Sequence, residues 1–380
     1  MRRRHFEAFA PLCPSCIKHG RGQHALTLAA VYEERDEDVL AGILHCSNPA
    51  CCHEYPIIDG IPVIVPALRT LMAERGVELL LRDDLDPALE SLVGDAIGPG
   101  TWFDNMRQLV STYAWDGWAD LDPAEPPAEE GPRPGAARRC LARLLEMAGG
   151  PAPGRVLDLG CGAGRTTFDL GARHRDALVL GIDTNLALLR LARRAAGGLV
   201  SYPRRRVGLV YDRRRFAVTL PGSERVDFWA CDALTLPFLS ASADLAVALN
   251  LLDCVTEPLR LLAGLAEVVH PGGRALLATP YDWSTRATPV ETWIGGHSQR
   301  SAYAGEAEPF LRALLHEGAH AQSVAGLTLL GEDQSWPWQT RLHERGAVQY
   351  RTHLLALARR ESEPELIQLS RCAGEVGPRS

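Results

Sequence analysis

The 380-residue sequence predicts an α/β fold, a doubly wound parallel sheet preceded by a small β-rich module. Three observations point there. Strand-like apolar runs alternate with helix-like segments from residue 136 onward. A glycine-rich turn joins the first of those strands to its helix. Five of the ten cysteines fall within the first 52 residues. The composition, 46% hydrophobic and 23% charged, is that of a globular chain long enough for two or three domains. No run of eighteen apolar residues suggests a membrane span, and the basic start MRRRHFEAFAPLCPSC lacks the apolar stretch of a secretion signal. A cytoplasmic protein is expected.

Residues 1–66 form the β-rich module. Cys13-Pro-Ser-Cys16 places two thiols on one turn, and Cys46 with Cys51 offers a second pair. Without a secretion signal, such clustering favours a metal over disulfides, and Zn²⁺ takes four such ligands as a tetrahedron. Cys52 adjoins Cys51 and points elsewhere, so the expected set is Cys13, Cys16, Cys46 and Cys51, with His45 and His53 as possible substitutes. Four thiolates close the coordination sphere, which makes the site structural. No aromatic–basic interleaving marks a nucleic-acid knuckle. The run Tyr55–Val65 turns at Asp59-Gly60, and Pro62 marks an edge or strand start. The module resembles the small zinc-ribbon activator proteins that partner tRNA and translation-factor methyltransferases. That resemblance implies strand addition to a partner sheet, here in cis through Ile61–Val65.

Residues 67–135 read as a helical segment ending in a Pro/Glu-rich linker, Asp122–Pro134. Within it Ser111–Trp115 is either a lid over the site or a helix packed on the sheet. The domain proper spans 136–380. It begins with a helix over Ala137–Ala148, the strand Arg155–Leu159, a helix over Arg165–Arg173, the strand Ala177–Asp183 and a helix over Leu186–Ala196. Strands Val226–Ala230, Leu245–Leu249 and Arg274–Ala278 follow, with a helix across Leu259–Val269. Leu327–Leu330 and Val348–Ala356 suggest a closing pair. Gly197–Arg225 interrupts the alternation with Arg204–Arg206 and Arg213–Arg215, expected as a solvated loop, with a contact to an anionic substrate or RNA as the sharper alternative. The net charge is −7 and is concentrated in residues 67–140, with 7 basic against 14 acidic residues, a poor surface for nucleic acid.

The chemistry lies in four motifs. Val156-Leu-Asp-Leu-Gly160-Cys161-Gly162-Ala163-Gly164 lets the backbone approach a ligand and presents free amides at a helix start. Asp183 ends the next strand, where a carboxylate suits a ribose diol. Asp232 ends the third, and His270-Pro-Gly-Gly273 precedes the fifth. As a set, VLDLGCGAGR, GID, CDA and HPGG resemble a class I S-adenosylmethionine-dependent methyltransferase, whose sheet is Rossmann-like. The resemblance implies S-adenosylmethionine as cofactor. Asp158, Gly160, Cys161 and Gly162 would hold its methionine part, Asp183 the ribose, and Asp232 with Ala233 and Leu234 the adenine. Asn250 would stand where methyl group and acceptor meet.

The segment Thr279-Pro-Tyr281-Asp282-Trp283, Thr288-Pro289 and Trp293-Ile-Gly295-Gly296, with Asn250-Leu-Leu-Asp253 upstream, resembles the methyltransferase domain of ovothiol-forming enzymes. Carnosine N-methyltransferases are a more distant likeness. It implies N-methylation of an imidazole or histidine-like acceptor on a small molecule or peptide. On this reading Tyr281 and Asp282 line the acceptor pocket, Trp283 and Trp293 wall it, and Asn250 or Asp253 orients the nucleophile. Two rivals are a tRNA or protein methyltransferase guided by the ribbon, and a non-catalytic adaptor that keeps the cofactor fold.

Overall fold

A computed structural model describes residues 1–80, 87–126, 131–316 and 318–360. The chain begins with α1 (Arg3–Phe9) and α2 (Pro14–Lys18), then β1 (Leu26–Arg35), β2 (Asp38–Cys46), β3 (Glu54–Ile58) and β4 (Ile61–Ile64). Three helices follow, α3 (Leu68–Leu80), α4 (Pro87–Ile97) and α5 (Trp102–Trp118). The alternating part runs α6 (Ala136–Ala148), β5 (Arg155–Leu159), α7 (Arg165–Arg173), β6 (Leu178–Asp183), α8 (Leu186–Ala196). A hairpin, β7 (Leu199–Val207) and β8 (Val210–Ala217), precedes β9 (Val226–Cys231), β10 (Ala243–Leu249), α9 (Pro258–Val268) and β11 (Val269–Thr279). The chain ends with α10 (Ala307–Leu315), β12 (Leu327–His343) and β13 (Gly346–Arg359).

Among the described residues one sheet has the order β1-β2-β3-β4-β9-β6-β5-β10-β11-β13-β12. Its middle, β9 to β11, is parallel, and β13 runs antiparallel to β11. Both faces of the parallel part are covered, which is why those strands are apolar throughout: β9 is buried at every position. Alternate residues feed two cores. Leu157 and Leu159 pack with Leu262 of α9 and Leu311 of α10, whereas Val156 packs with Leu144 of α6, Phe168 of α7 and Leu189 of α8.

The N-terminal strands continue this sheet. β4 pairs in parallel with β9 through Val63↔Ala230 and Ile64↔Cys231, the strand addition in cis that the apolar run suggested. Phe9, Cys46 and Tyr55 share one core with Trp229 and Leu262. An ion-pair bridge adds to the joint: Arg193 of α8 reaches Asp38 at 2.5 Å and Asp227 at 2.9 Å, and Asp227 is wholly buried. Removing one partner of a buried pair strands the other charge, at a cost of about 3–5 kcal/mol. Arg193→Met is therefore expected to lower the urea midpoint markedly. A change equivalent to less than about 0.5 kcal/mol would mean that the pair behaves as a screened surface contact.

Four sequence expectations need revision. The module before residue 66 carries two short helices besides its strands, and α10 is an additional helix in the segment after β11. The closing pair is longer than Leu327–Leu330 and Val348–Ala356, because polar residues on its projecting half hide the strand pattern. The arginine-rich interruption is a hairpin rather than a solvated loop. Arg213 pairs with Glu90 of α4, Arg214 with Asp122 at 2.6 Å, and Arg204 with Glu125 at 2.7 Å. The same bonds dock the described start of the Pro/Glu-rich stretch, with Trp115 Nε1 donating to Glu125 at 2.8 Å, so residues 122–126 are packed rather than a free linker. Residues 127–130 lie outside the described part. The acidic segment and the arginine hairpin thus neutralise each other. No described helix is long and apolar enough to cross a membrane.

Candidate active site

Strand tips at the carboxyl edge of an open α/β sheet are where ligands bind. The glycine turn after β5 is held there by two amides, Gly160 N and Cys161 N, which donate to Ile182 O at 2.8 and 3.0 Å. Gly164 has φ +82°, and a Cβ on it would stand 2.6 Å from the Ala192 Cβ, so it is required for close packing of α7 on α8. Gly162, at φ +54°, is different: a Cβ there would have Tyr113 Cδ1 as its nearest neighbour, at 3.9 Å, so its requirement for glycine is conformational rather than steric.

Asp183 is clamped at the tip of β6. Its Oδ2 accepts from Gly162 N at 2.9 Å and its Oδ1 from Asn185 N at 2.8 Å. A carboxylate held in this way at a strand tip has the acceptor chemistry that a ribose diol requires. Asp232 follows β9 half-buried, with Oδ1 accepting from Leu234 N at 2.9 Å, and Ala233 lies beside it. The Cys161 side chain is buried behind the turn, and burial followed by the neighbouring Asp183 and Asp158 pushes its thiol up. The Cys161 backbone is engaged as well, its amide by Ile182 O and its carbonyl by Gly164 N, so the residue shapes the turn rather than contacting a ligand.

Asp158 sits deeper than a ligand contact requires. It is 2% exposed, and its Oδ2 accepts from both Thr166 Oγ1 and Thr167 Oγ1 at 2.7 Å. Burial raises its pKa to about 6 against those two hydroxyl donors. A carboxyl whose folded pKa exceeds its unfolded value of ~3.9 binds more protons when folded, so stability falls as pH rises between the two. Asp158→Asn keeps an acceptor for the threonines and removes the buried charge. It should unfold no more readily than wild type at pH 8, and any advantage, at most on the order of 2–3 kcal/mol, should fade on acidification through pH 6. Parallel unfolding curves at every pH would rule out the buried charge.

Beyond β10, Asn250 adopts φ +49°, with its amide donating to Ala278 O at 2.8 Å. Its Oδ1 is buried without a hydrogen-bond partner. A strained asparagine with an orphaned oxygen at a strand tip marks a place awaiting a donor. Next to it Leu251 occupies the space a side chain on Gly160 would need, its Cδ1 2.9 Å from where that Cβ would stand. Asp253 is buried and accepts from Asp282 N at 2.6 Å, and burial holds its carboxyl above the ordinary range. Asp282 is exposed, and its Oδ2 accepts from Tyr350 Oη at 2.8 Å. Thr288, buried after β11, donates to Asp253 O and Val255 O, lacing the two loops together.

Tyr281 also sits in the left-handed region, at φ +56°, with its amide bonded to Thr279 Oγ1. Its hydroxyl meets His353 Nδ1 at 2.7 Å. Trp283 lies 6.4 Å from the Tyr281 ring and stacks on Trp293 at 6.1 Å and 16°, so the three aromatics form one wall. Tyr113 of α5 stands on the opposite side. It is 48% accessible, yet Cys254, Asp183, Asp253 and Tyr350 all act on it, and enclosure followed by these groups pushes its hydroxyl up. Its ring edge lies beside the glycine turn, with Cδ1 3.9 Å from where a Cβ on Gly162 would stand. The rest of α5 is fixed, with Trp118 Nε1 donating to Ala163 O and Ser111 Oγ accepting from Arg205 N. Ser111–Trp115 is a packed helix whose exposed Tyr113 stands beside the glycine turn.

The structure thus gathers Gly162, Asp183, Asn250, Asp253, Tyr281 and Asp282 at one edge. Sequence reasoning missed Tyr350, His353 and Glu332, which sit in strands whose text shows no motif. His297 is exposed in the loop beyond Trp293.

A second constellation lies in the N-terminal module. The thiols of Cys13, Cys16, Cys46 and Cys51 all fall within 4.8 Å of one another. Sγ···Sγ distances are 3.8 Å for Cys13–Cys51 and for Cys16–Cys46. A tetrahedron with Zn–S bonds of ~2.3 Å has edges of about 3.8 Å, so the cluster fits that ion. Asn48 points its amide at Cys46 Sγ and its Nδ2 at Cys16 Sγ, donors suited to thiolates. Cys52 turns outward at φ +50°, and the His53 ring lies against Cys51 Sγ.

Residues 157–277 match a family model described as a methyltransferase domain. An O-methyltransferase from Penicillium expansum, cnsE, is 29% identical over 197 residues, covering 52% of this chain and 55% of that protein. A trans-aconitate 2-methyltransferase from Methylobacterium nodulans is 46% identical over 61 residues, 16% of this chain and 24% of the other. Among solved structures, phosphoethanolamine N-methyltransferase 2 from Haemonchus contortus in complex with S-adenosylmethionine aligns at 19% identity and a TM-score of 0.29, over 37% of this chain and 28% of the other. The chain spans about half or less of the length of the curated relatives it matches first. The sheet is Rossmann-like, and within it residues 157–277 are similar to a methyltransferase domain.

Proposed function

We propose that this domain methylates a small molecule, with S-adenosylmethionine held over β5, β6 and β9 and the acceptor beside Tyr113. One observation carries the reading: Asn250, strained and with its buried Oδ1 unpartnered, lies between the glycine turn and the Tyr281–Asp282 loop. When bound, the cofactor supplies an activated methyl group and its own leaving group, so the protein's task is positioning and exclusion of water. Asp183 and Asp232 would fix the nucleoside, and the backbone of Gly160 and Gly162 the amino-acid end. Trp283 and Trp293 would wall the acceptor, and Asp253 sets the Asp282 amide.

Three O-methyltransferases stand among the curated relatives, which favours an oxygen acceptor over the imidazole nitrogen that the PYDW…WIGG segment suggested. An RNA acceptor is disfavoured because three of the hairpin's arginines, Arg204, Arg213 and Arg214, are engaged by Glu125, Glu90 and Asp122. The thiol cluster is read as a structural Zn²⁺ site, since four thiolates leave no position for substrate. Calorimetry with S-adenosylhomocysteine tests the core of the proposal: binding at micromolar or tighter affinity is expected, with NAD⁺ inert. The reverse selectivity would defeat it.

A further inference from the structure

Behind Tyr281 lies a chain of polar groups that the positioning role leaves unexplained. Its hydroxyl meets His353 Nδ1 at 2.7 Å, His353 Nε2 meets Glu332 Oε2 at 3.1 Å, and that oxygen also accepts from Arg312 Nε at 2.9 Å. His353 is 1% exposed. A carboxylate accepts only, so Nε2 carries the imidazole proton, Nδ1 is bare, and the Tyr281 hydroxyl donates to it. The direction of every bond follows. The chain leads from a half-buried phenol at the tip of β11 to a carboxylate on β12.

We propose that Tyr281, His353 and Glu332 form a proton relay, and that the acceptor is an oxygen nucleophile, a phenol or enol, that must lose a proton as it is methylated. This rests on the methyltransferase reading above. In the step, the acceptor O–H gives its proton to the Tyr281 oxygen while the tyrosine's own proton passes to His353 Nδ1. The freed oxygen pair forms the O–CH₃ bond, and the CH₃–S⁺ bond breaks with its electrons left on sulfur. The sulfonium charge is replaced by an imidazolium charge beside Glu332, which later releases its proton to solvent. An imidazole acceptor has a free lone pair and would need no such path.

The surroundings suit the role. The groups facing His353 are Tyr281, Glu332, Arg312 and Glu308, and those facing Tyr281 include Asp253 as well. Burial lowers the His353 pKa against the pull of Glu332, so the ring is neutral and able to receive a proton at pH 7. Burial works against Glu332, yet bonds from Arg312, His353 and Gln334 hold it below its usual range and keep it ionised. The strained φ of Tyr281 fixes where the phenol stands.

Two measurements on the full chain test the relay. The first needs no acceptor: nitrogen NMR of ¹⁵N-histidine-labelled protein should show His353 protonated at Nε2 and bare at Nδ1. The Nδ1 resonance should move in Tyr281→Phe, and the titration in Glu332→Gln. Protonation at Nδ1, or no response to either substitution, overturns the relay. The second is turnover of catechol and of 4-methylimidazole with S-adenosylmethionine. Tyr281→Phe and His353→Gln should each lower kcat on catechol by about 10²–10⁴-fold, the loss shrinking as alkaline pH ionises catechol itself. S-adenosylhomocysteine affinity should stay within about twofold. Wild-type rates in Tyr281→Phe, or methylation of 4-methylimidazole with catechol untouched, would refute the acceptor class. Failure of wild type to bind S-adenosylhomocysteine would instead overturn the methyltransferase reading and leave the NMR result standing.

Discussion

Cys16→Ala is expected to abolish stoichiometric zinc and to destabilise far more than the N-terminal module. Cys16 is wholly buried, opens from the short α2, and faces Cys46 at 3.8 Å with Asn48 Nδ2 donating to it. Structural zinc in small peptides contributes on the order of 10–16 kcal/mol of apparent binding energy, all of it tied to folding. A module of this size with two short helices and four strands has no equivalent source of stability. Loss then spreads, because β4 is the neighbour of β9 and Tyr55 packs in the same core as Trp229. A drop in Tm of at least about 10 °C is expected, both for the variant and for wild type treated with a strong chelator. Cys52→Ala is the control. Cys52 is exposed, outside the four-thiol cluster, and its thiol donates to Pro49 O, so metal content and Tm should hold. Protein isolated without zinc, with a Tm indifferent to chelator, would show that the four thiols are merely packed together.

Asp183→Ala should cost S-adenosylhomocysteine affinity on the order of 10²–10⁴-fold. Two hydrogen bonds to a charged acceptor contribute roughly 1.5–3 kcal/mol each. The carboxylate also holds Gly162 N and Asn185 N, so the alanine variant loosens the turn and the α8 start together. Asp183→Asn separates the two effects. It retains one oxygen for an amide, so the turn keeps part of its support while the charge on the ribose is gone, and an intermediate loss of about tenfold is expected. Calorimetry gives the affinities, and an unchanged urea midpoint excludes unfolding. An alanine variant that binds within threefold of wild type would place the ribose elsewhere.

The legible parts of the site are those in which chemistry is local. Gly160, Gly162 and Asp183 are readable because a strand, a tight turn and a helix occupy consecutive residues, and φ at Gly162 is a property of the turn itself. Asn250, Asp253, Tyr281 and Asp282 are readable for the same reason, since each directly follows a strand. The cysteine quartet is readable from two short spacings. Helix-forming Leu186–Ala196 is marked by its Asn185 cap, which accepts from Leu188 N at 3.0 Å, and its bounds coincide with the periodicity.

The arginine clusters show where such reading stops. Arg204, Arg213 and Arg214 look like a solvated basic loop because their partners, Glu125, Glu90 and Asp122, lie 79 to 123 residues earlier. Charge alone states that a counter-ion is needed, not which one, and the acidic excess of residues 67–140 becomes intelligible only once the hairpin folds onto α4 and α5. His353 is a sharper case. Within His353-Leu-Leu-Ala-Leu-Ala it reads as one polar residue in an apolar strand.

The sequence by itself determined an α/β sheet with a glycine turn, an acidic residue at each of two strand tips, an aromatic loop beyond the fifth strand and a thiol quartet at the front. Periodicity, turn stereochemistry and ligand spacing are set by neighbours along the chain. Only the tertiary structure decided that the arginine hairpin folds onto Glu90, Asp122 and Glu125, and that Tyr281, His353 and Glu332 share a line of hydrogen bonds. Those facts depend on which distant groups burial brings to within 3 Å, and a buried polar atom takes whichever partner the packing supplies.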